Sequence, residues 1–402
     1  VNIGFRRPFR MSPRRFSLRF SIAYALMMLG SGVQLPFLPL WLSAKGIDPS
    51  GIAAIVAGMM AIRTVSAPLF AWIADHFRLR RQVIIGCAAV SFLSYLSLGL
   101  VSGFGAIAAV ALLASFFFAP VFPLSESYSV DASAALGLDY GRIRLWASLS
   151  FLFGSLGSGL LLSHLDPLDT AWLLAGAFGL ATLAALLLPP EPTVLKSPKP
   201  KSASSMGAGR FLFGTSFTLF LLVAGTAQAS HGMMYSFSSM HWQQLGFSPA
   251  IIGLMWTVAV MAEVTLLAFS NRVVERFGPG PIFLAGISGG ILRWSLLAFV
   301  ESMPVIMVLQ ALHAASFAMT HLGTMHMIRL MVPERIRNRA QALNTALAGG
   351  ILMSSSIWAS GPLFHSIGSK TYLVMAGVSL VALLAAIPLL RVSPRVRAAA
   401  DT

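Results

Sequence analysis

Residues 32–49 read GVQLPFLPLWLSAKGIDP and residues 232–249 read GMMYSFSSMHWQQLGFSP. A shift of 200 positions superimposes Gly32 on Gly232, Phe37 on Phe237, Gly46 on Gly246 and Pro49 on Pro249. In each copy an apolar run closes near a glycine and a new run opens at a proline, the residue that starts a helix without losing a hydrogen bond. The match continues outward through Asp75 with Glu275, Phe77 with Phe277 and Gly86 with Gly286. A shift of 195 then pairs Arg142, Arg144 and Gly154 with Arg337, Arg339 and Gly349. Similarity at a fixed offset marks an internal repeat, so the chain is expected to contain two halves of one architecture.

Composition states what those halves are made of. Hydrophobic residues make up 56% of the 402 residues and charged residues only 10%, more apolar surface than a soluble core of this length hides. A hydrocarbon layer of about 30 Å is crossed by roughly 20 helical residues. Apolar runs of that length fall near 17–42, 50–73, 82–101, 104–128, 142–163 and 170–188. A second set follows at 211–240, 250–270, 281–299, 304–330, 340–362 and 371–390. Alternating polarity, the mark of a membrane barrel, does not occur in them. The expected fold is therefore an all-α membrane protein of twelve transmembrane helices in two six-helix bundles. The division is a basic segment 1–16, a first bundle 17–188, a Pro-, Lys- and Ser-rich linker 189–209, a second bundle 210–390 and a tail 391–402.

A net charge of +15 raises nucleic acid as a partner, and the placement of the charges argues against it. Of the 28 Lys and Arg residues, 24 fall in the amino-terminal segment, in alternate loops around Arg80, Arg142, Lys199, Arg276 and Arg337, and in the tail. Only Lys45 and Lys370 lie in the other set of loops. Such asymmetry follows from the rule that basic loops stay cytoplasmic, and it predicts an inner-membrane protein with both termini in the cytoplasm. The single cysteine, Cys87, excludes a disulfide framework within the monomer. The expected partners are lipid and a small-molecule substrate, without cofactor or nucleic acid, for a functional monomer.

Charged groups inside apolar runs are expensive and mark candidate sites. Arg63 and Glu263 are one 200-residue shift apart, each 14 residues past the proline that opens its helix. Glu126 follows Pro120 and Pro123, whose missing N–H groups require a setting of protein or water, and the next helix opens with Tyr140-Gly141-Arg142-Ile143-Arg144. Arg293 stands beside Trp294; His313 and His321 are eight residues apart, two turns of one face; His231, Tyr235, His241 and Trp242 share the seventh run. No metal-ligand spacing and no nucleophile or cofactor motif emerges, so an enzyme is not expected.

The loop Ala71–Arg81, AWIADHFRLRR, resembles the Gly-x-x-x-Asp-Arg-x-Gly-Arg-Arg element of the major facilitator superfamily, with Asp75, Arg80 and Arg81 retained and Ala71, His76 and Arg78 departing. Its repeat copy keeps Glu275, Arg276 and Gly278. The resemblance implies two bundles with substrate held between them, and a gating role for Asp75, Arg80, Arg81, Glu275 and Arg276. The stretch Leu138–Ser148, with His231, Tyr235, Trp242, Gln243, Glu263 and Arg293-Trp294, looks like the 3-phenylpropionic acid transporter family of that superfamily. The family is related to nucleoside:proton symporters and to lactose permease, and the more distant likeness to lactose permease places an acid on Glu126 and a Gly-Arg-x-Arg on Gly141–Arg144. It implies that Glu126 and Arg144 bind substrate, that Glu263 is a second substrate-side acid, and that Arg293 with His313 belongs to a proton-coupling cluster. Phe151 stands where the permeases have a stacking tryptophan, and Ser316 where they have a proton-carrying acid.

The expected activity is proton-coupled uptake of a small aromatic monocarboxylate. Arg144 is the first choice for its carboxylate and Arg63 the second, since a guanidinium offers two parallel hydrogen bonds. Phe151, Tyr235, Trp242 and Trp256 offer apolar area for a ring, and Glu263 or Glu126 would carry the proton. A sugar or nucleoside symporter and a drug exporter are the alternatives.

Overall fold

In the computed structural model, residues 12–189 and 212–392 are described, so most of the expected tail, linker and amino-terminal segment lies outside the described residues. Among these no strand occurs, and ten helical segments are long and apolar enough to cross a membrane. The described residues form two compact units, one of 12–41 with 62–189, the other of 42–61 with 212–392.

The first unit is built from α1 (Pro13–Ala44), the later part of α2 (Pro49–Phe77), α3 (Arg80–Leu98), α4 (Phe104–Phe118), α5 (Val121–Leu136), α6 (Tyr140–Leu162) and α7 (Thr170–Leu187). The prolines of the fourth run only jog it: α5 resumes directly after Pro120 and continues to Leu136, eight residues beyond the boundary expected from hydropathy. Gly137, at φ +65°, ends it in the left-handed conformation that glycine adopts without strain. Asp139 then caps α6 by accepting from the Gly141 and Arg142 amides. Two turns of α1 present Phe16 and Phe20 to Tyr128 on α5, at ring distances of 6.2 and 5.2 Å. Further along, α1 crosses α6 so closely that a Cβ on Gly32 would strike the Phe151 carbonyl and one on Gly154 the Leu29 carbonyl.

The second unit contains α8 (Thr215–Ala229), α9 (Gly232–Gln244), α10 (Pro249–Ala268), α11 (Ser270–Phe277), α12 (Pro279–Leu297), α13 (Met303–Ala311), α14 (Thr320–Met331), α15 (Arg337–Asn344), α16 (Met353–Ile367) and α17 (Thr371–Val392). The run 211–240, expected as one helix, is broken at Ser230–His231. There the Ser230 hydroxyl bonds the Ala227 carbonyl at 2.8 Å and the His231 ring bonds the Gln228 carbonyl at 3.0 Å, so side chains take the carbonyls a continuous helix would use. The break lets Gly232 approach Ser356 and Ile357 of α16 with no room for a Cβ. Gly32 and Gly232, paired by the sequence repeat, thus make equivalent close crossings in their own units. The run 250–270 likewise ends at Ala268, and α11 is a separate helix. π-helical turns at Ala314–Met319 and Thr345–Leu352 interrupt the tenth and eleventh runs.

Candidate substrate and proton sites

In the first unit, Arg144 and Glu126 meet across α6 and α5, Nη1 to Oε1 at 2.7 Å. The Tyr140 hydroxyl donates to the same carboxylate oxygen at 2.6 Å. The guanidinium lies 5.7 Å from the centre of the Phe122 ring, which stacks on Tyr24 of α1 at 5.1 Å. The Tyr24 hydroxyl is buried and stands close enough to Glu126, Tyr140 and Arg144 to interact electrostatically with all three. Side-chain exposures of 47% for Arg144 and 36% for Glu126 leave the pair reachable. The arrangement is a cation with spare donors over an aromatic floor. Sequence reading named the ion pair and missed Tyr24 and Phe122, which look like any aromatic residue of an apolar run.

Elsewhere in this unit, Arg63 on α2 keeps an accessible side chain within electrostatic range of the Tyr95 hydroxyl. Phe151 is half-buried on α6. Arg80 contacts Asp131 of α5 at 2.9 Å and Asp75 at 3.5 Å. Arg81 donates to the Leu186 and Leu188 carbonyls at 2.8 Å each, satisfying the carboxyl end of α7.

The second unit holds a buried polar network. Arg293 on α12, fully buried, donates to the Leu309 carbonyl at 3.0 Å, to Gln310 Oε1 at 2.7 Å, to Ser316 Oγ at 3.1 Å and to His313 Nδ1 at 3.0 Å. A guanidinium only donates, so Nδ1 of His313 is an acceptor and its proton sits on Nε2. That nitrogen faces Glu263 Oε2 of α10 at 3.4 Å. At the other end, His231 Nδ1 faces the Gln228 carbonyl at 3.0 Å and must donate, and its Nε2 lies 3.3 Å from Ser316 Oγ. The Arg293 contact thus leaves His313 Nδ1 unprotonated, and the Gln228 carbonyl places a proton on His231 Nδ1. The π turn beginning one residue after His313 accompanies the convergence of His313 and Ser316 on one guanidinium nitrogen.

Tyr235 and Trp256 stack at 6.2 Å beside this network, Trp256 donates to Ser239 at 2.9 Å, and Trp242 meets Trp256 edge-on at 6.3 Å. His313, Phe317 and His321 form a stacked row along one face. Glu275 is exposed and Arg276 lies over the Phe277 ring at 5.3 Å. Gln310, which sequence reading passed over, accepts from the guanidinium through its oxygen; its amide nitrogen has no partner among the described residues.

Many apolar helices long enough to cross a bilayer, with Arg293 buried along one of them, mark a multi-pass membrane protein. The chain belongs to the MFS_1 like family, whose model matches residues 17–374, and is a transporter of the major facilitator type rather than an enzyme. It is 28% identical over 372 residues to the "Probable 3-phenylpropionic acid transporter" of Escherichia coli (strain K12), covering 90% of this chain and 95% of that relative. It is also 24% identical over 339 residues to the maltose permease of Geobacillus stearothermophilus, covering 83% and 84%. The crystal structure of the nucleoside transporter NupG superimposes with a TM-score of 0.83 at 17% identity, over 94% of this chain and 100% of that one.

Proposed function

We propose that this chain is a twelve-helix secondary active transporter of the inner membrane, which takes up a small aromatic carboxylate such as 3-phenylpropionate with a proton by alternating access. The count of twelve follows if α8 and α9 form one crossing bent at Ser230–His231, and if the 54-residue segment Glu334–Ile387 folds back at Gly368, φ +56°, to cross twice. The distribution of Lys and Arg supports cytoplasmic termini.

One observation carries the substrate class: Arg144, held by Glu126 through one nitrogen, sits over Phe122 with Tyr24 and Tyr140 alongside. The remaining guanidinium donors suit a carboxylate, and the aromatic floor suits a ring. The likeness to the E. coli relative agrees with this reading. Proton coupling is assigned to Glu263, which faces the only proton of His313, with Arg293 fixing that histidine's orientation. Asp75, Arg80, Arg81, Glu275 and Arg276 are proposed to act at the gate.

The likeness to a maltose permease and a nucleoside transporter favours sugar or nucleoside symport as the second reading. Proteoliposomes with an imposed pH gradient separate the two. Labelled 3-phenylpropionate is expected to accumulate, and Arg144→Gln or Glu263→Gln to abolish accumulation. Equal uptake with and without the gradient would refute symport, and uptake of maltose or uridine instead would replace the carboxylate.

A further inference from the structure

A cavity of about 590 Å³ lies in the first unit between α1 and the start of α6. Its walls include Leu18, Ile22 and Leu26 of α1, Leu138 of the preceding turn and Trp146 of α6, with Arg14 at one end. Leu18 and Trp146 are 63% and 50% exposed, so the lining is open rather than packed. The helices touch at Gly32 and Gly154, and the groove lies nearer their basic ends. Trp146 and Arg144 are two residues apart and so point to opposite sides of α6, which sets the groove apart from the Arg144 pair.

We infer that this groove holds one acyl chain of a phospholipid whose anionic headgroup rests on Arg14. From Arg14 to Leu26 the helix rises about 18 Å at 1.5 Å per residue, slightly more than half of a hydrocarbon core of about 30 Å. That length is one leaflet deep. The charges fit the assignment: Arg15 and Arg19 flank Arg14 on α1 and are exposed, and Arg142 is 88% exposed at the head of α6. The nearby acid, Asp139, is engaged by Arg142 at 3.3 Å and by the α6 amides. A tryptophan beside basic residues is the ordinary chemistry of a membrane interface. Residues 1–11 of the chain add Arg6, Arg7 and Arg10 and no acid, so they match the charge of this mouth rather than complement it.

Brominated lipids test the assignment in the full-length protein, because bromine on an acyl chain quenches a tryptophan in contact with it. Nanodiscs of phosphatidylcholine receive increasing fractions of brominated phosphatidylglycerol or brominated phosphatidylcholine, and the emission difference between wild type and Trp146→Phe isolates Trp146. Half-quenching is expected at a fraction of phosphatidylglycerol at least about fivefold lower than of phosphatidylcholine. Arg14→Gln, on an exposed side chain, should erase that preference. Equal half-quenching by both lipids in the wild type would mean an unselective annular contact, and absence of quenching would mean that protein fills the groove; either overturns the assignment, as does a preference that survives Arg14→Gln.

Discussion

Arg293 Nη1 lies 3.0 Å from His313 Nδ1 inside the second unit, and this contact sets the direction of every hydrogen bond around it. The guanidinium can only donate, so the imidazole must present its one proton to Glu263, 3.4 Å away. His313 cannot take a second proton on Nδ1 without losing Arg293. A proton on Glu263, by contrast, leaves the contact between Arg293 and His313 Nδ1 in place.

Glu263→Gln should therefore separate exchange from accumulation. The amide oxygen still accepts from His313, so the network persists, but no proton can be bound and released. Equal-substrate counterflow in proteoliposomes is expected to stay close to wild type while uptake driven by a pH gradient falls to simple equilibration. Loss of both together would assign Glu263 to substrate binding or packing instead.

Arg293→Met removes the donor to four acceptors at once. Leaving Gln310 Oε1 buried without its partner costs about 1–3 kcal/mol, while the Leu309 carbonyl keeps the Leu312 amide. The melting temperature in detergent is expected to fall clearly, and Arg293→Lys, with fewer donors and no planar fork, to lie between the two. A melting temperature unchanged in Arg293→Met would show that the network contributes no stability.

Arg144→Lys addresses the other unit. Lysine keeps the charge, but its compact ammonium cannot grip Glu126 and a carboxylate with a planar fork. We expect substrate affinity to fall about tenfold or more, equivalent to about 1.4 kcal/mol, with the melting temperature little changed, because an exposed ion pair contributes about 0–1 kcal/mol. Binding measured by calorimetry and melting by scanning fluorimetry give the two readouts.

How far the sequence carried can be seen at single residues. Pro49 and Pro249 marked helix starts that the structure confirms, because proline's constraint is local. Glu126 with Arg144 was legible, since their helices are sequential neighbours and an ionised pair in an apolar run has few partners. The break at His231 was not, because it depends on side chains capturing carbonyls and on α16 arriving against Gly232. Tyr24 and Gln310 were missed for the same reason: their importance lies in which buried atoms three-dimensional packing brings near them. The contact of His313 with Glu263 joins residues 50 apart in the chain, a distance at which charge and periodicity give no pairing rule.

The two glycines at 154 and 157 of α6 offer a test of the packing that brings Tyr24 toward Arg144. Replacing glycine by alanine inside a helix is intrinsically stabilising by about 1 kcal/mol. At Gly157 nothing lies within 4 Å of the added carbon, so the variant should melt at or above the wild-type temperature. At Gly154 the same carbon meets the Leu29 carbonyl and the backbone of Gly32, and backbone cannot swing aside as a side chain does. Overpacking of that kind costs about 1–3 kcal/mol, which exceeds the gain in propensity, so Gly154→Ala should lower the melting temperature. It should also weaken substrate binding, since α1 carries Tyr24 and α6 carries Arg144, and spreading the two helices moves Tyr24 away from the pair. If the two variants melt alike, the α1–α6 crossing is not the close backbone contact described, and the placement of Tyr24 beside the ion pair loses its support.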